Sequence, residues 1–166
     1  MDGFYKRSEL KKQGVLLDTS FLIHLTKNTS KLHHKANATA KYLSENGFDL
    51  YVSTIAIAEF CVGGKFGDLI AKNYKFCFVD FKLHHAEKAA NFIKKGFVAK
   101  KEGDLSVTRS IIPNDTKMFA QADCDASIKY FLSSDTESKK IYDVIKPNFQ
   151  FVDIGLEFEI STIFTK

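Results

Sequence analysis

The stretch Gly14-Val15-Leu16-Leu17-Asp18-Thr19-Ser20-Phe21-Leu22-Ile23 limits the choice of folds more than any other part of the chain. Its first apolar run is too short for a helix, ends on one acid, and passes at once into a second apolar run. Such a run, bounded by polar residues, reads as a buried parallel strand followed by a helix. Asp18 then stands where strand becomes helix, at the carboxyl edge where open α/β sheets bind ligands. Aspartate is also a favoured N-cap, so Asp18 has two readings: a cap alone, or an acid that faces a ligand. The second gains ground because three more acids fall at equivalent places later in the chain.

The same alternation recurs downstream. Short apolar runs at 49–52, 76–79, 130–133 and 149–152 predict further strands. Between them, Leu32, Ala36, Ala40 and Leu43 recur at helical spacing after Asn28-Thr29-Ser30 and stop at Asn46-Gly47. Helices are also expected over 19–25, over 54–61 from a Ser53 cap, over 84–95 closed by Gly96, and over 136–145 stopped by Pro147. Another begins at Pro113-Asn114-Asp115, with Met118, Phe119 and Ala122 inward. Gly63, Gly64 and Gly67 lack phosphate-loop spacing and read as a turn between helices. The tail, 155–166, alternates through Leu156, Phe158 and Ile160, which predicts an extra edge strand. The class is α/β: a three-layer αβα sandwich around a central, mostly parallel sheet of about five strands. Residues 1–13 read as a basic arm with Lys6, Arg7, Lys11 and Lys12, and 14–166 as one domain.

Composition narrows the class. With 45% hydrophobic residues, 27% charged and two prolines in 166, the chain is globular rather than disordered or repetitive. Sixteen phenylalanines and no tryptophan point to a core filled by Phe, Ile and Leu. No apolar run approaches the ~20 residues that span a bilayer, and the polar start carries no signal peptide, so no membrane association and a cytoplasmic location are expected. Cys61, Cys77 and Cys124 are odd in number and far apart, which argues against a disulfide framework or a zinc knuckle. A net charge of +4 suits a polyanionic partner without specifying one.

The acids carry the chemistry. Glu59 sits among Ile55, Ala56, Ile57, Ala58, Phe60 and Cys61, a helix apolar nearly all round, so burial is expected. A carboxylate there is costly unless a lysine or a metal partners it. Asp115 falls in the first turn of its helix, where the backbone dipole favours an anion. Asp135 follows the fourth strand, as a cap for the next helix or as a further ligand. All four would face one edge of the sheet. Two such charges ~5 Å apart at an effective dielectric near 20 repel by about 3 kcal/mol, which a divalent cation would remove. An all-oxygen set suits Mg²⁺ or Mn²⁺ rather than zinc. Asp123 lies eight residues beyond Asp115, ~12 Å along a helix, and Asp125 lies farther still, so neither competes for the fourth place. Residues 97–113 form the least regular segment, with Lys100, Lys101 and Arg109; they either contact a phosphate backbone or form a solvated excursion. His33-His34 and His84-His85 are neighbours that diverge on a helix, and together with His24 they read as surface or packing residues. No Ser/His/Asp nucleophilic set and no dinucleotide fingerprint is visible.

Val15-Leu16-Leu17-Asp18-Thr19-Ser20-Phe21-Leu22-Ile23 resembles the opening motif of PIN domains. Ser53-Thr54-Ile55-Ala56-Ile57-Ala58-Glu59-Phe60 resembles their glutamate-bearing helix. Asn114-Asp115-Thr116-Lys117-Met118-Phe119-Ala120-Gln121-Ala122 resembles the third motif, and Phe131-Leu132-Ser133-Ser134-Asp135 the last. The resemblance covers about 15–153, with Ser133-Ser134 where the family usually carries an arginine or asparagine. It implies a metal-dependent endoribonuclease on a parallel sheet, and brings in the toxins of VapBC-type toxin–antitoxin pairs, often dimeric and blocked by a small antitoxin. On that basis Asp18, Glu59, Asp115 and Asp135 are expected to hold Mg²⁺ or Mn²⁺ and to catalyse hydrolysis of RNA. Thr19, Ser134, Lys100, Lys101 and Arg109 are expected to hold the substrate. The alternatives are a PIN-fold RNA-binding or scaffolding protein without activity, and a receiver-like α/β protein, which lacks its lysine after the last strand.

Overall fold

The computed structural model describes residues 12–165; apart from Lys12 and Gln13, the expected basic arm lies outside them. In chain order the elements are β1 (Gly14–Leu17), α1 (Thr19–Thr26), α2 (His33–Glu45), β2 (Asp49–Ser53), α3 (Thr54–Phe60), α4 (Phe66–Ile70) and β3 (Phe76–Val79). There follow α5 (Leu83–Glu102), α6 (Ile111–Cys124), β4 (Ile128–Ser133), α7 (Thr136–Ile145), β5 (Gln150–Asp153) and α8 (Ile160–Ile163). The five strands form one sheet in the order β3-β2-β1-β4-β5, and every pairing is parallel. Parallel neighbours need crossovers, and here helices supply them on both faces. The result is a three-layer αβα sandwich.

Val15, Leu16 and Leu17 have no exposed surface because β1 lies at the centre of the sheet, with helices above and below. Phe119 of α6 meets Phe131 of β4 edge to face, centroids 5.0 Å apart, and Phe149 and Phe151 complete this aromatic core. The strand order changes direction between β1 and β4. Their carboxyl ends therefore open a crevice, because the chain leaves them towards different sides.

Several local expectations are corrected. Gly96 does not close its helix; α5 runs on for another turn and a half to Glu102 and is capped by Gly103 at φ 89°. Gly96 is instead a point of close helix contact, where an added Cβ would lie 2.7 Å from Ile112 Cγ2. The irregular segment shortens accordingly to the stretch between α5 and α6. β3 is a half-exposed edge strand rather than a buried one. The tail adds no sixth strand among the described residues; it turns at Gly155 and ends in the short α8, with Phe164 packed on Phe48 and Tyr130. Of the alternating residues, Phe158 and Ile160 pack partly against the core and Leu156 is exposed, without joining the sheet. No described helix is long and apolar enough to cross a membrane.

Candidate active site at the carboxyl edge of the sheet

Asp18 ends β1 and caps α1, and does more than cap. Its Oδ2 accepts from Ser20 N at 3.3 Å, from Ser20 Oγ at 2.6 Å and from Ser133 Oγ at 2.7 Å. All three bonds fall on Oδ2, so Oδ1 takes no part in them. Asp18 is only 6% exposed, and burial pushes its carboxyl up while the serine hydroxyls pull it down. Ser133 closes β4, the strand beside β1, so the parallel pairing itself delivers the second hydroxyl.

Glu59 reaches the site from α3, which Ser53 starts by accepting from Ile55 N. The helix is less buried than its composition suggests: Ala56 and Phe60 face the core, and Glu59 is half-exposed. Thr19 donates to Glu59 Oε2 at 2.5 Å, so its hydroxyl faces a neighbouring carboxylate. That contact closes the gap between the turn after β1 and the helix after β2. Beside Glu59 opens a cavity of about 590 Å³ lined by Ile23, Lys27, Phe60, Val62 and Gly64 among others.

Asp115 comes from α6, in its second turn rather than its first, because the helix begins at Ile111. The dipole argument loses most of its force there, since that effect fades beyond the first turn. What holds Asp115 in place is packing. Gln121, two turns further on and fully buried, accepts from Ser53 Oγ at 2.6 Å and donates to Val79 O at 3.1 Å, which pins α6 to β2 and β3. Asp115 Oδ2 is buried without a hydrogen-bond partner. Burial first, and then the charges of Asp18, Asp135 and Glu59, push its carboxyl up to about 8, with the Ser138 hydroxyl pulling the other way.

Asp135 is the N-cap of α7: its Oδ1 accepts from Glu137 N at 2.8 Å and Ser138 N at 3.4 Å. Both bonds use Oδ1, which leaves Oδ2 outside the cap. The cap reading and the site reading of Asp135 are therefore compatible. Its own N–H donates to Ser133 Oγ at 3.0 Å, joining the cap to the Asp18 cluster.

Asp18, Glu59 and Asp135 thus all act on Asp115 at one end of the sheet. Asp123 does not: it forms an ion pair with Lys88 at 2.5 Å and accepts from Asn148 N at 2.6 Å. Asp125 accepts from Ser127. Among the described residues, no three His, Cys, Asp or Glu side chains converge closely enough to form a finished metal cage. The donor chemistry nevertheless fits a hard divalent cation: four carboxylates, one with an orphaned buried oxygen, in mutual repulsion.

The cations sit elsewhere than expected. Lys100 and Lys101 lie in the last turn of α5, not in a loop, and Lys100 Nζ donates to Val107 O at 2.5 Å. Arg109 does lie in the connecting segment, its guanidinium 4.4 Å from the Phe97 ring centroid. Lys101 and Arg109 share one open, largely apolar depression with Ile93, Lys94 and Phe97. Sequence reasoning missed Ser20, Gln121 and Ser138 as parts of the site. Ser20 was within reach, since a serine two residues after an aspartate commonly closes a side-chain turn. His24, read as packing, binds Ser134 Oγ through Nε2 at 2.8 Å.

No family model matches the sequence, and no curated protein matches it. Solved structures do. The chain is similar over 85% of its length to 98% of a chain in the crystal structure of VapBC2 from Rickettsia felis bound to a DNA fragment from their promoter, at 13% identity and a TM-score of 0.55. It is similar over 85% to 98% of a chain in FitAcB from Neisseria gonorrhoeae, at 18% identity and a TM-score of 0.58. DNA-bound VapBC from Salmonella typhimurium gives 14% identity, a TM-score of 0.56, and 86% and 98% coverage. Strand order, crossovers and these likenesses agree: the chain shares its fold with the matched chains of these VapBC and FitAcB structures.

Proposed function

We propose that the chain is a metal-dependent endoribonuclease that hydrolyses RNA phosphodiester bonds at the Asp18–Glu59–Asp115–Asp135 edge. One observation carries this reading. Asp115 holds a buried oxygen without a partner, inside the field of three other carboxylates, at the carboxyl edge of a parallel sheet. A fold tolerates such an arrangement when a cation joins it. A bound Mg²⁺ or Mn²⁺ would lower the pKa of water and stabilise charge on the phosphate. The protein's own part is to orient the acids. Ser20 and Ser133 fix Asp18 through Oδ2, Thr19 fixes Glu59, and the Asp135 cap leaves one oxygen for the centre. Asp115 must shed its proton before it can serve as a ligand.

Looped or single-stranded RNA suits a recessed acidic edge, because its backbone can bend into it. Lys101 and Arg109 would hold flanking phosphates. Likeness to VapBC complexes supports a place as the toxin of a toxin–antitoxin pair, with an antitoxin protein as partner. A second reading is an inactive RNA-binding PIN fold, favoured by the Thr19–Glu59 bond, which occupies one of the acids. Purified protein incubated with structured RNAs and Mn²⁺, beside Asp18→Asn, separates the two. Cleavage lost in Asp18→Asn and in chelator supports the nuclease; RNA binding without cleavage in the wild type overturns it.

A further inference from the structure

His24 lies in α1 and reaches away from its own helix at both ring nitrogens. Nδ1 is 2.5 Å from Ser30 Oγ, and Nε2 is 2.8 Å from Ser134 Oγ, 110 residues along the chain. Ser134 stands between Ser133, which donates to Asp18, and Asp135. Its own N–H donates to Ser20 Oγ at 3.0 Å, the hydroxyl that donates in turn to Asp18. One continuous path of polar contacts therefore runs from Ser30 through His24, Ser134 and Ser20 to the acid that ends β1.

The neighbouring groups favour one set of proton directions along that path. Ser30 Oγ already accepts from Leu32 N at 3.2 Å, which leaves its own proton available for Nδ1. With Nδ1 accepting, a neutral ring carries its proton on Nε2 and donates it to Ser134. Four carboxylates beyond Ser134 favour the same polarity, because N–H and O–H dipoles then point their positive ends towards the acids. Partial burial pulls the imidazole down from its ordinary value, which keeps the ring neutral around pH 7. A Ser134 hydroxyl that accepts from His24 has its proton free for a ligand. A Ser134 that donated to His24 would offer only lone pairs to an anionic substrate.

We infer that His24 is a positioning residue that holds the Ser134 hydroxyl as a hydrogen-bond donor at the rim of the acidic centre, aimed at a non-bridging oxygen of the bound phosphodiester. The inference rests on the nuclease reading for its substrate, but the tautomer it requires does not. A donor is needed at that rim because the turn after β4 offers hydroxyls in place of a cation, while carboxylates surround it. His24, in the last turn of α1, supplies the direction and Ser134 the contact.

The experiment has two arms. In the first, ¹⁵N chemical shifts of the His24 ring are recorded in the intact protein at pH 7.5. Protonated Nε2 with unprotonated Nδ1 is expected, and the opposite tautomer overturns the inference whatever the enzyme does. In the second, cleavage of a short single-stranded RNA is followed with Mn²⁺ for wild type, His24→Phe, Ser134→Ala, Ser134→Thr and the His24→Phe/Ser134→Ala double variant. His24→Phe and Ser134→Ala should each lower kcat/KM on the order of ten- to a hundredfold, the span of one hydrogen bond to a charged group. The double variant should be no worse than Ser134→Ala, and Ser134→Thr should recover most of the rate. Additive losses, or His24→Phe lowering the melting temperature with kcat/KM unchanged, would reduce His24 to a structural tie. Wild type that cleaves no RNA sinks the nuclease reading and the phosphate role with it. Active wild type, inactive Asp18→Asn and unaffected His24→Phe sink the inference alone.

Discussion

Asp115→Asn should make the metal-free protein more stable at neutral pH. The native carboxyl is pushed up to about 8, against an ordinary value of 3.8 in the unfolded chain. A raised native value means that the folded form holds its proton where the unfolded form has lost it. Stability from this group is complete below pH ~4 and drains away as pH rises towards 8. At pH 7 the gap of about three pH units between the ambient pH and the unfolded value costs on the order of 4 kcal/mol. Solvent at the partly open edge reduces that to ~2 kcal/mol. Asparagine keeps the shape and removes the titration. For a chain of this length, ~2 kcal/mol corresponds to a melting temperature roughly 4–8 °C higher. Melting curves of both proteins in chelator at pH 4 and pH 7.5 provide the assay, with near-coincidence expected at pH 4. Adding Mn²⁺ at pH 7.5 should then raise the wild type and leave Asp115→Asn unmoved, because a ligand that binds only the native state stabilises it. Mn²⁺ affinity of the wild type should climb with pH up to about 8. Equal melting temperatures at pH 7.5, or the same offset at both pH values, would refute the electrostatic reasoning.

Gly96→Ala should destabilise the fold by about 1–3 kcal/mol through overpacking against Ile112, and so lower the melting temperature, despite alanine's better helix propensity. Since Ile112 lies one turn before Asp115, Mn²⁺ affinity should weaken alongside. Lys101→Ala with Arg109→Ala should weaken RNA binding and flatten its dependence on salt, measured by fluorescence anisotropy. Lys100→Ala should change the salt dependence little, because its ammonium group is committed to Val107 O.

Much of the architecture can be read without coordinates because buried parallel strands leave short apolar runs between polar punctuation. All five strands fall within two residues of those runs, and the 136–145 helix matches end for end. Legibility fails where one tertiary contact outweighs a local signal. Gly96 reads as a stop, yet its missing side chain lets α5 lie against Ile112, a partner far away in sequence. α3 reads as buried all round, but it lies against the sheet by one face and shows Ala58 and Glu59 to solvent. Asp18, Glu59 and Asp135 stand out as acids after strands or within the following helix. The hydroxyls that orient them do not, since serine is common at turns and only folding reveals which carboxylate each one meets. Lys100 and Lys101 illustrate a different limit: an apparently irregular stretch hides the last turn of α5, where the helix dipole favours cations.

Ser133, whose hydroxyl completes the cradle around Asp18, is translated 115 residues after it, and the cap at Asp135 closes only once Glu137 and Ser138 have followed. A half-made chain carries the first acid without the neighbours that orient it. Synthesis therefore imposes an order: the acidic edge can come together only after Ser138 has been made. A protein that damages RNA would gain from that timing, since the machine producing it is itself built of the target.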